Sequence, residues 1–317
     1  MTNETLLIRR SEILEILDWN RTIQAVRDAF LASANNSVLP PASTQVTMAA
    51  HSLHIKAGGL IDPPVVTLKA NLRPDAAAAL GAVLVFDQRA NRLRAVLDSS
   101  DITALRTAAT AALGVQALAG TSRPRIAVLG AGPIGLRILA ALLALTDVAH
   151  IDLWSYRGVG IPEALEFLKP DMSVTVHETP GLATKNADVV ISCTPSRTPL
   201  ITAADLKEGV AVIALGADSP GKRELASDVL EGSLLLVDVR AGATAVGETS
   251  YLGAGAEKAI WAEFGQLLAG QVTLPAVRPV RVVFDSVGSS FVDAAVSAVV
   301  VDEAERRGLG TPFNFAS

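Results

Sequence analysis

Cysteine is almost missing from this chain. Cys193 is the only one in 317 residues. That excludes an intramolecular disulfide and any cysteine-based zinc set, and it suits a reducing compartment. Aromatic residues are scarce at 4%, so the core is expected to be built from small and branched aliphatic side chains. Basic runs are missing too. With a formal net charge of -5 and no stripe of Lys and Arg interleaved with aromatics, there is no electrostatic footprint for nucleic acid. The four histidines, His51, His54, His150 and His177, lack H-E-x-x-H or similar spacing, so no metal is expected. The longest apolar run, 76–86, falls short of the ~20 residues a membrane helix needs. Glu4, Arg9, Arg10, Glu12, Glu15 and Asp18 break up any signal-peptide-like apolar stretch near the amino end. A cytoplasmic protein without a membrane partner is the expectation.

Apolar residues, by contrast, make up 50% of the chain and charged residues 19%. That is enough for a sizeable core, and the length suggests about two domains. Residues 11–35 show helical spacing in Ile13, Leu14, Leu17, Ile23, Val26, Ala29 and Phe30 and predict one amphipathic helix. Short extended segments follow at 44–48, 52–56, 65–71, 81–86 and 93–97, with a hairpin connection at 87–91. They predict a mostly antiparallel sheet. A helix over 101–119 follows, its middle built only of Thr and Ala. The boundary is expected at 121–124. Beyond it, apolar strands at 125–129, 149–154, 173–177, 188–193, 211–215 and 234–238 alternate with helices. This rhythm predicts a doubly wound parallel sheet. The last apolar helix, 291–306, is expected to return to the N-terminal domain.

Gly130-Ala131-Gly132-Pro133-Ile134-Gly135 fits G-x-G-x-x-G between a strand and a helix. In that setting the first glycine allows the tight turn. The second admits a pyrophosphate, and the third brings helix and sheet together. The helix N-terminus offers free N–H groups to phosphate. A dinucleotide is therefore expected. The second strand ends at Trp154, where an acidic residue would hold the ribose of NAD. Here Ser155 stands instead, with Arg157 two residues on. A hydroxyl and a guanidinium suit a 2′-phosphate, which favours NADP(H) over NAD(H). Asp152 is the rival, placed inside the strand.

These motifs lie in order with others: Val66-Thr67-Leu68-Lys69, Ala95-Val96-Leu97-Asp98, Ile102-Thr103-Ala104-Leu105-Arg106-Thr107-Ala108-Ala109, Ser192-Cys193-Thr194-Pro195-Ser196, Gly216-Ala217-Asp218-Ser219-Pro220-Gly221-Lys222-Arg223-Glu224-Leu225 with Asp228 beyond, and Val283-Phe284-Asp285-Ser286-Val287-Gly288 with Asp293 following. Together they resemble the ornithine cyclodeaminase/mu-crystallin family over nearly the whole chain. The resemblance implies an α/β architecture. A Rossmann domain, 121–289, stands beside an α+β substrate and dimerisation domain, 1–120, completed by the C-terminal helix in 290–317. It implies a homodimer.

It also implies site residues. Lys69 and Arg106 match the substrate-contacting lysine and arginine, and Asp228 is matched to the acid/base aspartate. The cofactor would be lined by Gly130, Gly132, Pro133, Ile134, Gly135, Ser155, Arg157, Thr194, Pro195, Gly216, Ala217, Asp218, Val287 and Gly288. Many members carry an arginine after a Pro-Pro pair, where this chain has Ala42-Ser43 after Pro40-Pro41. Where many have a Met-Pro segment it has His54-Ile55-Lys56, and Lys56 is the candidate to replace the missing charge. Arg106 suits bidentate capture of a carboxylate.

The expected activity is NAD(P)H-dependent reduction of a small amino or imino acid, of the ketimine or cyclic imine type. One alternative is redox-neutral ornithine cyclodeamination with NAD+ recycled. Another, from a different class, is an NADP(H)-dependent ligand-binding protein without turnover.

Overall fold

Period-two alternation across 51–97 builds the first sheet. The computed structural model describes residues 4–48, 51–74, 80–168, 172–277 and 279–315. Residues 76–79 of the apolar run lie outside that set. Its remainder is strand. The chain forms two compact units, Met1–Arg106 with Ser290–Ser317, and Thr107–Ser289.

In the first unit come β1 (Thr5–Ile8), α1 (Arg10–Ile16), α2 (Trp19–Ala34), β2 (Val38–Thr47), β3 (His51–Leu60), β4 (Val65–Pro74), β5 (Leu80–Asp87) and β6 (Arg92–Asp98). α3 (Ser99–Leu118) runs across the division between the units, which falls upstream of 121–124. The C-terminal helix (Ser290–Arg307) and C-terminal strand (Thr311–Phe313) rejoin this unit. The sheet order is C-terminal strand, β1, β6, β5, β4, β3, β2. β2 to β6 form an antiparallel meander, whereas β1 pairs parallel with β6.

The single helix predicted over 11–35 is two. Leu17 is extended, and the Asp18 side chain accepts a hydrogen bond from the Arg21 N–H at 2.8 Å, so Asp18 caps a new helix. β1 and the C-terminal strand escaped prediction because four and three residues carry no usable period.

One face of the sheet is buried through Leu60, Val65, Thr67, Lys69, Val83 and Val85. The C-terminal helix packs against β3 and β4 and against α2. Phe291 meets Phe30 edge to face at 5.7 Å between ring centroids. Truncating a fully buried phenylalanine such as this to Ala costs about 3–5 kcal/mol. Gly58 sets how near the helix comes, because a Cβ there would lie 2.1 Å from Ser290 Oγ. The opposite face presents Ile55, Val66, Leu68, Leu84 and Phe86 half-buried, with Leu72 and Leu80 exposed.

The second unit contains β7 (Arg125–Leu129), α4 (Pro133–Leu145), β8 (His150–Trp154), β9 (Val174–Val176), β10 (Val189–Ser192), β11 (Val210–Ala214), β12 (Leu234–Val237), β13 (Ile260–Glu263) and β14 (Arg281–Asp285). All eight strands are parallel, in the order β13, β12, β14, β11, β10, β7, β8, β9. Continuous apolar runs such as Val189-Val190-Ile191 are buried, as expected of strands covered on both faces. The strand order reverses between β7 and β10, which makes the crevice at their carboxyl ends the switch point where such sheets bind ligands. β14 is inserted between β11 and β12, and neither it nor β13 was anticipated. Among the described residues no helix is long and apolar enough to cross a membrane.

Candidate functional site

The first unit gathers three charged side chains from three remote segments. Lys69 on β4, Arg106 on α3 and Asp293 on the C-terminal helix are all buried. Lys69 Nζ lies 2.6 Å from Asp293 Oδ2, and Arg106 Nε donates to Asp293 Oδ1 at 3.0 Å. Each carboxylate oxygen therefore takes one cation. Lys69 faces this cluster because its strand alternates, with Val65 and Thr67 buried on the same side. Lys56 lies directly opposite Lys69 in the β3–β4 register, and Ser43 lies opposite Lys56. Directly paired residues have Cβ atoms ~4.5–5.5 Å apart. Ala42 pairs with Ala57 and so belongs to the other face. Lys56, Lys69 and Arg106 thus come together.

Burial pushes Lys69 down from 10.5 to about 7, and the neighbouring Arg106 and Lys56 push the same way while Asp293 opposes them. Burial alone would raise Asp293, but Lys69 and Arg106 outweigh it and hold this carboxyl below its usual range. Two cations therefore share one carboxylate, and positive charge is in excess in the cluster. Asp293 was not singled out as a site residue. Its signal was an aspartate inside the apolar run Phe291-Val292-Asp293-Ala294-Ala295-Val296.

In the second unit the three motif glycines do three different things. Gly130 has φ +108°, which a side chain would strain, and a Cβ there would also crowd Thr194 Cγ2 at 3.1 Å. At Gly132, the N-cap of α4, a Cβ would meet nothing within 4 Å, so the space over the helix N-terminus is open. At Gly135 a Cβ would lie 2.0 Å from Gly130 O, so the helix touches the turn. Pro133 occupies the first turn, where its missing N–H costs nothing, and Ile134 follows it. An open helix N-terminus fits a pyrophosphate.

Ser155 is committed within this region. Its Oγ donates to Val159 O at 2.6 Å and accepts from Ala131 N–H at 3.3 Å, tying the segment after β8 to the glycine turn. Arg157 is exposed at φ +54°, with its guanidinium 5.0 Å from the Tyr156 ring centroid. Asp152 is a structural residue. It receives Arg125 through two bonds, 2.6 and 2.7 Å, and His177 at 2.7 Å.

Buried Glu224 binds the neighbouring strand ends together. It accepts from Ser192 Oγ (2.9 Å), Thr194 N–H (2.6 Å), Thr194 Oγ1 (2.7 Å) and Gly216 N–H (2.8 Å). Burial raises its pKa against these bonds. Gly216 has no room for a side chain, since a Cβ would lie 2.3 Å from Thr194 O. Buried Glu248 accepts from the Glu224 N–H at 2.5 Å and the Leu225 N–H at 3.1 Å. Burial raises it to about 8. Asp238 Oδ2 holds Gly288 N–H at 2.8 Å and Ser286 Oγ at 3.0 Å, shaping the Val287-Gly288 turn. Cys193 is packed against the turn, its thiol pushed up by burial. Thr194 and Pro195 follow β10, and Ala217 and Asp218 follow β11. Both pairs therefore stand at carboxyl ends of strands. Asp218 Oδ1 lies 2.7 Å from Lys222 Nζ.

Asp228 lies elsewhere. It is the second residue of a short helix, Ser227–Leu230, whose N-cap is Ala226, so it does not cap that helix. Arg281, the first residue of β14, donates to the Asp228 and Glu231 carbonyls at 3.0 Å each. That ties the helix to the amino end of β14, whereas the glycine turn stands at the carboxyl ends. The Asp228 side chain is exposed. Asp228 therefore stands apart from the carboxyl ends of the strands, where Asp218 lies. Among the described residues no group of His, Cys, Asp or Glu could hold a metal ion.

The fold has close counterparts. An archaeal alanine dehydrogenase dimer with bound NAD superposes with a TM-score of 0.91 at 23% identity, covering 98% of this chain and 99% of that one. The Δ1-pyrroline-2-carboxylate reductase of Thermococcus litoralis, in complex with NADH and L-proline, gives 0.88 at 22% identity, covering 97% and 99%. In sequence, the ketimine reductase mu-crystallin of Macropus fuliginosus is 27% identical over 284 residues, 86% of this chain and 88% of its own. The ornithine cyclodeaminase/mu-crystallin family model matches residues 70–308, and the chain belongs to that family.

Proposed function

We propose that this protein is an NAD(P)H-dependent reductase of small 2-imino acids, cyclic or linear, that yields the corresponding amino acids. The observation that carries the reading is the buried anion site of Lys69, Arg106 and Asp293 in a chain that also has the open glycine turn of a dinucleotide site. A bound dihydronicotinamide supplies a hydride to the imine carbon. The chain's own residues do the rest. Gly130, Gly132 and Gly135 shape the turn, and the N-terminus of α4 receives the pyrophosphate. Thr194, Pro195, Gly216, Ala217, Val287 and Gly288 border the cofactor at the strand ends. Arg106 and Lys69 hold the substrate carboxylate, the guanidinium through its planar fork. Lys56 adds charge where relatives have an arginine. The Asp218–Lys222 pair delivers the proton that the imine nitrogen gains as its carbon takes the hydride.

NADP(H) is preferred in this reading, through Arg157, while Ser155 shapes the loop that presents it. The apolar outer face of the first sheet, with Ile55, Leu68 and Leu84, is the surface of a homodimer, and the lone Cys193 fits a cytoplasmic setting.

The decisive experiment follows NADPH and NADH oxidation with Δ1-pyrroline-2-carboxylate and with 2-oxo acids plus amines. One nicotinamide oxidised for each imino acid reduced to the amino acid is expected. Ammonia release from ornithine without net change in the nicotinamide would replace the reading with cyclodeamination. Sedimentation should give about twice the 32.9 kDa chain mass, and a monomer would remove the dimer.

A further inference from the structure

Asp293 belongs to none of the motif roles discussed above, yet it is the residue that joins the two cations. Its helix is docked by shape: Gly58 leaves room for Ser290, and one turn later Asp293 reaches over β4. The Asp293 bond to Arg106 uses Nε, the nitrogen nearest the stem. It fixes the plane of the guanidinium and directs the terminal nitrogens, which carry four of its five N–H groups. The bond to Lys69 fixes the ammonium beside that plane.

A buried ion pair is weak evidence of stabilisation, because apolar residues of similar volume usually do as well. On the C-terminal helix Asp293 is flanked by buried Phe291, Val292, Ala294, Ala295 and Val296, so an apolar replacement was open to this core. Two cations against one carboxylate, with Lys56 beside them, leave positive charge in excess, which a substrate carboxylate would complement.

We propose that Asp293 is a positioning residue for substrate, setting the spacing and orientation of Lys69 and Arg106 so that the pair receives a single carboxylate. This rests on the reading of the cluster as the substrate site. Asp293 does not touch the reacting atoms. The charged groups facing Lys69 are Asp293 from the C-terminal helix, Arg106 from α3 and Lys56 from β3, while β5 contributes uncharged Val83. Removing Asp293 takes away the one group that keeps Lys69 protonated. A merely structural ion pair would lower the melting temperature without moving the pH at which carboxylate affinity fades.

The test measures binding of pyrrole-2-carboxylate, a planar carboxylate that cannot be reduced at an imine, to the full-length protein between pH 6 and 10. Wild type, Asp293→Asn and Asp293→Glu are compared, with NADH titrated in parallel. Asp293→Asn should weaken the analogue at least tenfold and move the fading of affinity to lower pH. NADH binding should stay within about twofold. Asp293→Glu keeps the charge on a longer arm, so its pH midpoint should stay near wild type while its affinity still falls severalfold. It also keeps the question answerable if the Asn variant does not fold. Either variant, folded and binding the analogue within twofold of wild type, would overturn the inference alone. A wild-type protein that bound neither this analogue nor any 2-imino acid would overturn the proposed function and the inference with it.

Discussion

Around their candidate sites the two units bury charge in opposite ways. In the first, Asp293 is neutralised by Lys69 and Arg106, and the cations outnumber it. In the second, Glu224, Glu248, Asp238 and Asp285 are buried, and backbone N–H groups and hydroxyls serve them. A carboxylate bonded to a cation fixes a side chain and keeps a charge for a ligand. One bonded to N–H groups fixes a loop. The first unit thus leaves positive charge in excess around a buried carboxylate, and the second holds its loops through buried carboxylates. Burial drives both sets of pKa values, but with opposite sign, downward for Lys69 and upward for Glu248 and Asp285.

The largest expected effect separates two aspartates of the second unit. Asp218→Asn should lower kcat by roughly 10²- to 10⁴-fold, with NADPH affinity near wild type. Asp228→Asn should leave kcat within about twofold. Single-turnover kinetics on both variants decides the matter, and the reverse pattern would restore Asp228 as the proton donor. Next, Arg106→Lys keeps a charge but loses the fork. KM should rise by roughly 10²-fold with kcat far less affected, because the carboxylate is present in both ground and transition states. An unchanged KM would end the division of labour between the units.

The pH response sharpens the contrast. Glu248 is raised from 4.5 to about 8, so its contribution to folding is fully present below pH 4.5 and is lost as pH rises through about 8. Lys69 is lowered from 10.5 to about 7, so its contribution is fully present above pH 10.5 and is lost as pH falls through about 7. Glu248→Gln should therefore flatten the decline in stability between pH 4.5 and 8, an effect of roughly 5 kcal/mol at most in denaturant titrations. A decline of wild-type steepness in that variant would assign it to other groups. The smallest effect belongs to exposed Arg157. Arg157→Ala should cut the preference for NADPH over NADH by about tenfold, roughly 1.4 kcal/mol, with turnover unchanged. Fluorescence titration of both cofactors reads it.

Much of this organisation was legible in the residues. The strands of the second unit could be read because burial on both faces makes them continuous apolar runs, and the glycine turn because each glycine answers a separate steric demand. Lys69 and Arg106 stood out only through the motifs shared with the family, since a lysine in an apolar strand reads by itself as an exposed residue. What could not be read depended on distant partners. The break at Leu17-Asp18 is set by a capping bond that helical periodicity conceals. β14 sits between strands that precede it in the chain. Asp218 lies within one motif and Asp228 just beyond it, and the Arg281 bonds to the helix at Ser227–Leu230 set them apart. Asp293 was an aspartate in an apolar helix until Lys69 and Arg106 were found on either side of it.

β1 lies between β6 and the C-terminal strand, with Thr5 opposite Phe313. During synthesis, then, the segment 107–289 emerges and can fold while the first unit still lacks a helix and an edge strand. Lys69 and Arg106 must wait for Asp293 to leave the ribosome. The same adjacency suits a circular permutant. Joining β1 to the C-terminal strand and opening the chain near 121–124 would make the helix bearing Asp293 precede the rest of the first unit in synthesis.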